Sequence, residues 1–235
     1  MPYFFNGACS NMKMRVAILV DGDFFIKRHC SYFNKEISKT SAADIAKCLK
    51  IHCMKHIRDD KEMLYRIFFY DCKPITKKAH YPFSHRSLDL AKSDTAIFRN
   101  ELHKELTRTS CLALRFGYLD EKNASWQIKD EKTYHDILSK KKDFNSLTDD
   151  DLVYKAKQKG VDMRIGLDIA TLSYKKLVDK IVLISGDSDF VPAAKLARRE
   201  GLFFILDPMG NDIKEDLQEH IDWLTTTLPN FKKKK

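Results

Sequence analysis

A chain of 235 residues, 43% of them apolar, can bury a full core as one large or two small domains. Its 42 Lys and Arg outnumber 33 Asp and Glu, leaving a formal charge of +9 that points to an anionic partner, nucleic acid before others. No apolar run approaches the ~18 residues of a membrane span, and Cys9, Cys30, Cys48, Cys53, Cys72 and Cys111 form no CxxC pair, so neither a membrane span nor a structural zinc is expected, and a reducing cytoplasm is.

Residues 1–13 carry no pattern and are expected to form a loose arm ahead of one domain spanning 14–225. Val16-Ala17-Ile18-Leu19-Val20 fits a buried strand and stops at Asp21-Gly22-Asp23; a run this short, followed by acids, is no secretory h-region. Ser41-Ala42-Ala43-Asp44 resembles a capping box, and Ile45, Cys48, Leu49, Cys53 and Ile57 follow at helical spacing. Leu64–Tyr70 reads as a strand ended by Asp71-Cys72-Lys73-Pro74, and residues 75–87 as loop. Leu88, Ala91, Phe98, Leu102 and Leu106 predict one long helix, and Leu112–Leu119 a strand.

The most polar stretch, with Lys140–Lys142 and Asp149–Asp151, predicts an exposed excursion at about 120–151, anchored to the body by Trp126. Gly160-Val161-Asp162 opens a helix whose apolar stripe is Val161, Ile165, Ile169 and Leu172. Ile181–Ile184 is a buried strand that breaks at Ser185-Gly186-Asp187-Ser188-Asp189, and a helix follows from Phe190. Leu202–Leu206 predicts one more strand; Ile213, Leu217, Ile221 and Leu224 predict a closing helix before a basic tail at 226–235. Alternating strands and helices call for an α/β fold, a three-layer α/β/α sandwich around a mainly parallel sheet.

Two strands of one parallel sheet that both end in acids present them on the same edge, where α/β folds bind ligands. The candidates are Asp21, Asp23, Asp162, Asp168, Asp187 and Asp189. Asp162 and Asp168 share a helix but point about 120° apart around its axis, so Asp162 is the better centre. A lone Asp at such a turn can equally be a helix cap, a reading that two acids on one turn make weaker. Ionised carboxylates repel by roughly 4 kcal/mol per pair at ~4 Å and an effective dielectric near ~20. A cluster therefore calls for a divalent cation, and all-oxygen ligands favour Mg²⁺ or Mn²⁺ and phosphate chemistry. No Ser-His-Asp, Cys-His, Walker-A or GxGxxG pattern offers a rival.

Val20-Asp21-Gly22-Asp23, Lys159-Gly160-Val161-Asp162, Asp168 and Ser185-Gly186-Asp187-Ser188-Asp189-Phe190-Val191-Pro192 resemble the NYN domain family in its LabA-like branch. Tyr70-Asp71-Cys72, Leu114–Gly117 and Arg198–Gly201 extend the likeness over about 14–225. The resemblance implies a PIN-like fold and a metal-dependent ribonuclease, with Asp21, Asp162, Asp187 and Asp189 as catalytic and metal-binding acids and Asp168 as a further ligand. The implied cofactor is Mg²⁺ or Mn²⁺, and the implied partner RNA, or single-stranded nucleic acid generally. Candidate substrate contacts are Lys159, Arg164, Ser185, Ser188, Lys195 and Arg198, although each basic residue also fits an ordinary solvated charge.

The family's first motif usually reads Asp-Gly-x-Asn; this chain has Phe24 in place of the Asn, with Asp23 able to stand in. Two other readings stay open. One is a non-catalytic RNA-binding or assembly module of the same fold. The other is a HAD-like phosphohydrolase whose DxD would be Asp21-Gly22-Asp23, with Phe25 where a Thr is expected. Homo-oligomerisation is left open by the sequence.

Overall fold

The computed structural model describes residues 12–33, 40–213 and 215–227, so nearly all of the expected N-terminal arm and the lysine-rich tail lie outside the described residues. In chain order the elements are β1 (Met14–Asp21), α1 (Gly22–Tyr32), α2 (Ala42–Met54), β2 (Glu62–Cys72), β3 (Lys78–His80), β4 (Ser87–Asp89), α3 (Asp94–Thr107), β5 (Leu112–Leu119) and β6 (Ser125–Ile128). Then come α4 (Glu131–Leu138), β7 (Leu152–Lys155), β8 (Gln158–Lys159), α5 (Val161–Tyr174), β9 (Lys180–Ile184), α6 (Val191–Arg199), β10 (Phe203–Asp207), α7 (Glu215–Gln218) and β11 (Trp223–Leu224).

The central sheet runs β11-β10-β9-β1-β2-β5-β8. Every pairing is parallel except that of β8 with β5 at the edge. Strands β1 and β9 can sit in the middle because their apolar runs are buried on both faces. Alternate side chains divide the core. Val16, Ile18, Val20, Ile67, Phe69, Val182 and Ile184 pack under α1, α2 and α3. Ala17, Leu19, Phe68, Tyr70, Ile181, Leu183 and Phe204 pack under α5 and α6. The protein is thus a three-layer α/β/α sandwich of the PIN-like type.

Register does the positioning. Val20 lies opposite Ile184, and Asp21 opposite Tyr70, so β1, β2 and β9 leave the sheet at one level. The residues that follow each strand therefore share one edge.

Three stretches differ from the sequence expectation. Residues 75–87, expected as loop, carry β3 and the start of β4, which pair as an antiparallel hairpin. The helix expected from Leu88 begins at Asp94: Leu88 belongs to the β3–β4 hairpin, and the Ser93 hydroxyl caps α3 by accepting from Ala96 N at 3.3 Å. The closing helix stops after one turn at Gln218, and Trp223–Leu224 pair instead with Ile205–Leu206 of β10. Asp222 makes that turn, accepting from Phe204 N at 2.7 Å while ion-paired to Arg198 at 3.0 Å. Leu217 and Ile221 still pack in the core, as their spacing predicted.

Residues 120–151 carry β6 and α4, and β6 pairs antiparallel with β7 just beyond. Trp126 sits between Tyr81 (centroids 5.1 Å) and Tyr154 (5.5 Å), and Asp149 accepts from Phe83 N and Ser84 N, which ties the excursion to the β3–β4 segment. Cys30, Cys48, Cys53, Cys72 and Cys111 are free, and among the described residues no helix is long and apolar enough to cross a membrane.

Candidate active site

Three separate elements each deliver an acid to the edge where the strands end. Asp21 closes β1 and caps α1, its Oδ1 accepting from Phe24 N at 3.1 Å. Asp187 follows β9 and caps the short 3₁₀ turn Ser188–Phe190, accepting from Asp189 N at 2.9 Å; its own N–H donates to the buried Ser185 hydroxyl at 3.2 Å. Asp162 stands in the first turn of α5, where the helix dipole favours a carboxylate. Gly160 starts that helix with φ +77, a left-handed conformation glycine adopts without strain.

Asp21, Asp162 and Asp187 line one cleft of about 540 Å³, together with Asp23, Phe24, Lys27, Gln158, Val161, Ser185, Gly186, Ser188 and Asn211. Burial, reinforced by the carboxylates of Asp23, Asp162 and Asp71, lifts the Asp21 pKa to about 6 despite the opposing hydrogen bond from Phe24 N. Asp162 is raised as well, by desolvation first and then by Asp187 and Asp189. Two acids from different elements, each raised by burial and by neighbouring carboxylates, are the signature of carboxylates crowded into one region. Asp189 lines a neighbouring hollow with Asp162, Met163 and Gly166, so it flanks the cleft from the far side of the first turn of α5.

The other sequence candidates are engaged elsewhere. Asp168 accepts from the Tyr70 hydroxyl at 2.8 Å and from Arg115 Nε at 3.1 Å, and is absent from the cleft lining. Lys159 is ion-paired to Asp120 at 2.6 Å. Arg164 Nε donates to Phe116 O at 2.7 Å, and Arg198 is held by Asp222 in the last turn of α6. Lys195 is exposed on α6. Ser185 and Ser188 do line the cleft.

Sequence reasoning missed a charged wall beside the acids. Arg99 on α3 donates to Asp23 at 2.6 Å and, through one nitrogen, to both oxygens of Asp71 at 2.7 Å. His103, one turn along α3, bonds Asp71 at 2.8 Å, and Lys27 pairs with the second Asp23 oxygen at 2.5 Å. Burial pushes the Asp71 carboxyl up, but the His103 hydrogen bond and the Arg99 guanidinium more than offset it and hold it below the usual range. The available signal was Arg99 and His103 four apart on an amphipathic helix; nothing local marks Gln158 or Asn211 as cleft residues.

Phe24 forms an apolar wall. A Cβ built on Gly186 would lie 2.6 Å from the Phe24 ring, so the ring rests on Gly186 and would have to shift to admit a larger residue there. Next to the cleft, and sharing Asp23 and Gln158 with it, a mostly apolar groove of about 560 Å³ is lined by Tyr81, Trp126 and Tyr154 among others.

A solved structure of a protein of unknown function from Vibrio parahaemolyticus RIMD 2210633 matches over 93% of this chain and 95% of that chain, with a TM-score of 0.50 and 15% identity, a likeness of fold alone. None of the curated proteins compared matches. The NYN domain model matches residues 69–223. That span includes Asp162, Asp187 and Asp189 and begins after Asp21, which joins them through the register of the sheet. With well over half of its length matched, the chain belongs to the NYN domain family, whose PIN-like domains are generally nucleases.

Proposed function

We propose that the protein is a ribonuclease of the LabA-like branch that hydrolyses RNA phosphodiester bonds in the cytoplasm with the help of Mg²⁺ or Mn²⁺. The observation that carries this reading is the convergence of Asp21, Asp162 and Asp187 from three elements on one cleft. The donor set fits a hard divalent cation: three carboxylates are joined in the cleft by the oxygens of Ser185, Ser188 and Asn211, and no thiol lines it. The raised pKa values of Asp21 and Asp162 support the same fit, because crowding that disfavours ionisation is relieved by positive charge. When bound, such a cation supplies Lewis acidity toward the phosphoryl oxygens and lowers the pKa of water.

The chain's own residues do the rest. Asp21, Asp162 and Asp187 would hold the cation, with Asp189 flanking them. Asp168, bound to Tyr70 and Arg115, would act by fixing α5 against the sheet rather than as a ligand. Lys27 is paired with Asp23, but its side chain lines the cleft and is 67% exposed, so it would face the phosphate, and the hydroxyls of Ser185 and Ser188 would orient it. Lys195 and Arg164 would offer weaker backbone contacts outside the cleft, whereas Lys159 and Arg198 are engaged by acids of their own. The aromatic groove lined by Trp126 would take bases next to the scissile phosphate, since aromatic rings stack any base.

The test is incubation of labelled single-stranded RNA with purified protein and Mn²⁺. Wild type is expected to cleave, and Asp187→Asn and Asp162→Asn to lose at least about 100-fold in rate. Cleavage that survives both substitutions refutes the assignment. A second reading, an RNA-binding module without catalysis, is favoured by Phe24 at the position of the family's Asn. RNA retention with no cleavage in Mg²⁺ or Mn²⁺ would establish it in place of the first.

A further inference from the structure

A second cluster of metal-ligand chemistry lies in the core, apart from the acidic cleft. His52 and His56 stand one turn apart on or just beyond α2, and therefore on one face. Asp207, the last residue of β10, meets them: its Oδ2 is 2.8 Å from His52 Nε2 and 2.9 Å from His56 Nε2. The three donor atoms lie within 4.8 Å of one another, and all three residues are buried, the Asp207 side chain at 0% exposure.

A fully buried carboxylate needs polar partners on its oxygens. Lys180 is not one of them, being committed to Glu62 at 2.8 Å and to the carbonyl of His56 at 3.1 Å. What faces Asp207 is two imidazoles, the Thr227 hydroxyl at 3.3 Å, and the Met209 N–H, which donates to its other oxygen at 2.8 Å. We propose that His52, His56 and Asp207 form a buried zinc site with three protein ligands.

The donor set selects the metal. Two neutral imidazoles and one carboxylate suit Zn²⁺, whereas Mg²⁺ prefers oxygen ligands and several waters. Bonds of about 2.0–2.1 Å in tetrahedral geometry set ligand atoms about 3.3 Å apart, so the present 2.8 and 2.9 Å spacings need to open by about half an ångström. Part of the second shell is present: the Met209 N–H fixes one Asp207 oxygen, and Thr227 Oγ1 lies 3.0 Å from both ring nitrogens of His52 and 3.3 Å from Asp207 Oδ2. The site would staple α2 to the end of β10 and to the segment after β11. Cysteine spacing could not have revealed it, since the donors are imidazoles paired with an acid 151 positions from His56.

The experiment is a metal assay on the full chain. Wild-type protein purified without added chelator is expected to carry close to one zinc by mass-spectrometric elemental analysis. EDTA treatment should release it, and micromolar Zn²⁺ should restore it while raising Tm by roughly 5–10 °C. Co²⁺ in its place should give the visible absorption of a tetrahedral nitrogen-and-oxygen site. His56→Gln and Asp207→Asn should abolish uptake, and Asp187→Asn should leave it unchanged, which separates this site from the acidic cleft. Failure of the wild type to take up zinc or to gain stability overturns the proposal whether or not the variants fold. Loss of zinc in Asp187→Asn with retention in His56→Gln overturns it too.

Discussion

Replacing Asp21 by Asn tests the crowding of the acidic cleft without touching its architecture. Asn keeps the Oδ1 acceptor that caps α1 at Phe24 N and is as good a cap as Asp, so the helix start survives. What disappears is the charge. Burial and neighbouring carboxylates lift the Asp21 pKa from 3.8 to about 6, so the folded state holds the proton more tightly than the unfolded chain does. Below the unfolded value both states are protonated and nothing is lost. As pH rises from there to the folded value the penalty on folding grows, and above it the penalty is complete. At about 1.4 kcal/mol per pKa unit the interval corresponds to about 3 kcal/mol, reduced to about 2–3 because the residue keeps some exposure. In a domain of this size that is a Tm difference of roughly 4–12 °C. Melting curves in EDTA should find Asp21→Asn more stable than wild type at pH 8, with the gap falling to about 1 kcal/mol at pH 4.5. Added Mg²⁺ should narrow it at pH 8 by stabilising only the wild type. A variant no more stable than wild type at pH 8, or a gain unchanged by acid, would refute the crowding argument.

Gly186→Ala should destabilise by about 1–3 kcal/mol, because its Cβ would enter the Phe24 ring. In a Phe24→Asn background the same change should cost less than half as much by urea unfolding, and additive costs would show that the two residues do not touch. Arg99→Met leaves Asp71, with a side chain 4% exposed, dependent on His103 and the Cys72 N–H, and should cost about 3–5 kcal/mol. Recovery of most of that loss in the double variant with Asp71→Asn is the check, and a single-variant loss under about 1 kcal/mol contradicts it. Trp126→Ala should weaken single-stranded RNA binding about tenfold by fluorescence anisotropy in EDTA; unchanged affinity would remove the aromatic groove from the substrate path.

The centre of the fold was legible because its strands are buried on both faces and so advertise themselves as unbroken apolar runs that stop at acids. The edge was not. Leu217 and Ile221 obey helical spacing and do reach the core, but β10 leaves one edge unpaired after β9, and Trp223–Leu224 fill it as a strand. A free sheet edge is a tertiary fact with no local signal. The same holds for the charged candidates. Lys159 and Arg198 look like solvated cations in sequence, and only the fold brings Asp120 and Asp222 against them. Helical rotation, by contrast, is local, and the placement of Asp162 in the cleft with Asp168 turned toward Tyr70 and Arg115 follows from it.

That contrast bears on the departure at Phe24. Asp23 looked able to replace the family's Asn, but each of its oxygens already has a cation, Arg99 on one and Lys27 on the other. A carboxylate so neutralised adds little attraction for a further cation, and freeing it would strand the Arg99 guanidinium, whose side chain is 14% exposed, with Asp71 alone. The cleft therefore holds acids of two kinds. Among the described residues no cation pairs with Asp21, Asp162 or Asp187, whereas Lys27 and Arg99 are matched by Asp23 and Asp71. On this argument Phe24 removes one polar contact from the cleft and leaves the three unpaired acids intact, so activity in Phe24→Asn should rise by no more than the worth of a single hydrogen bond, about tenfold.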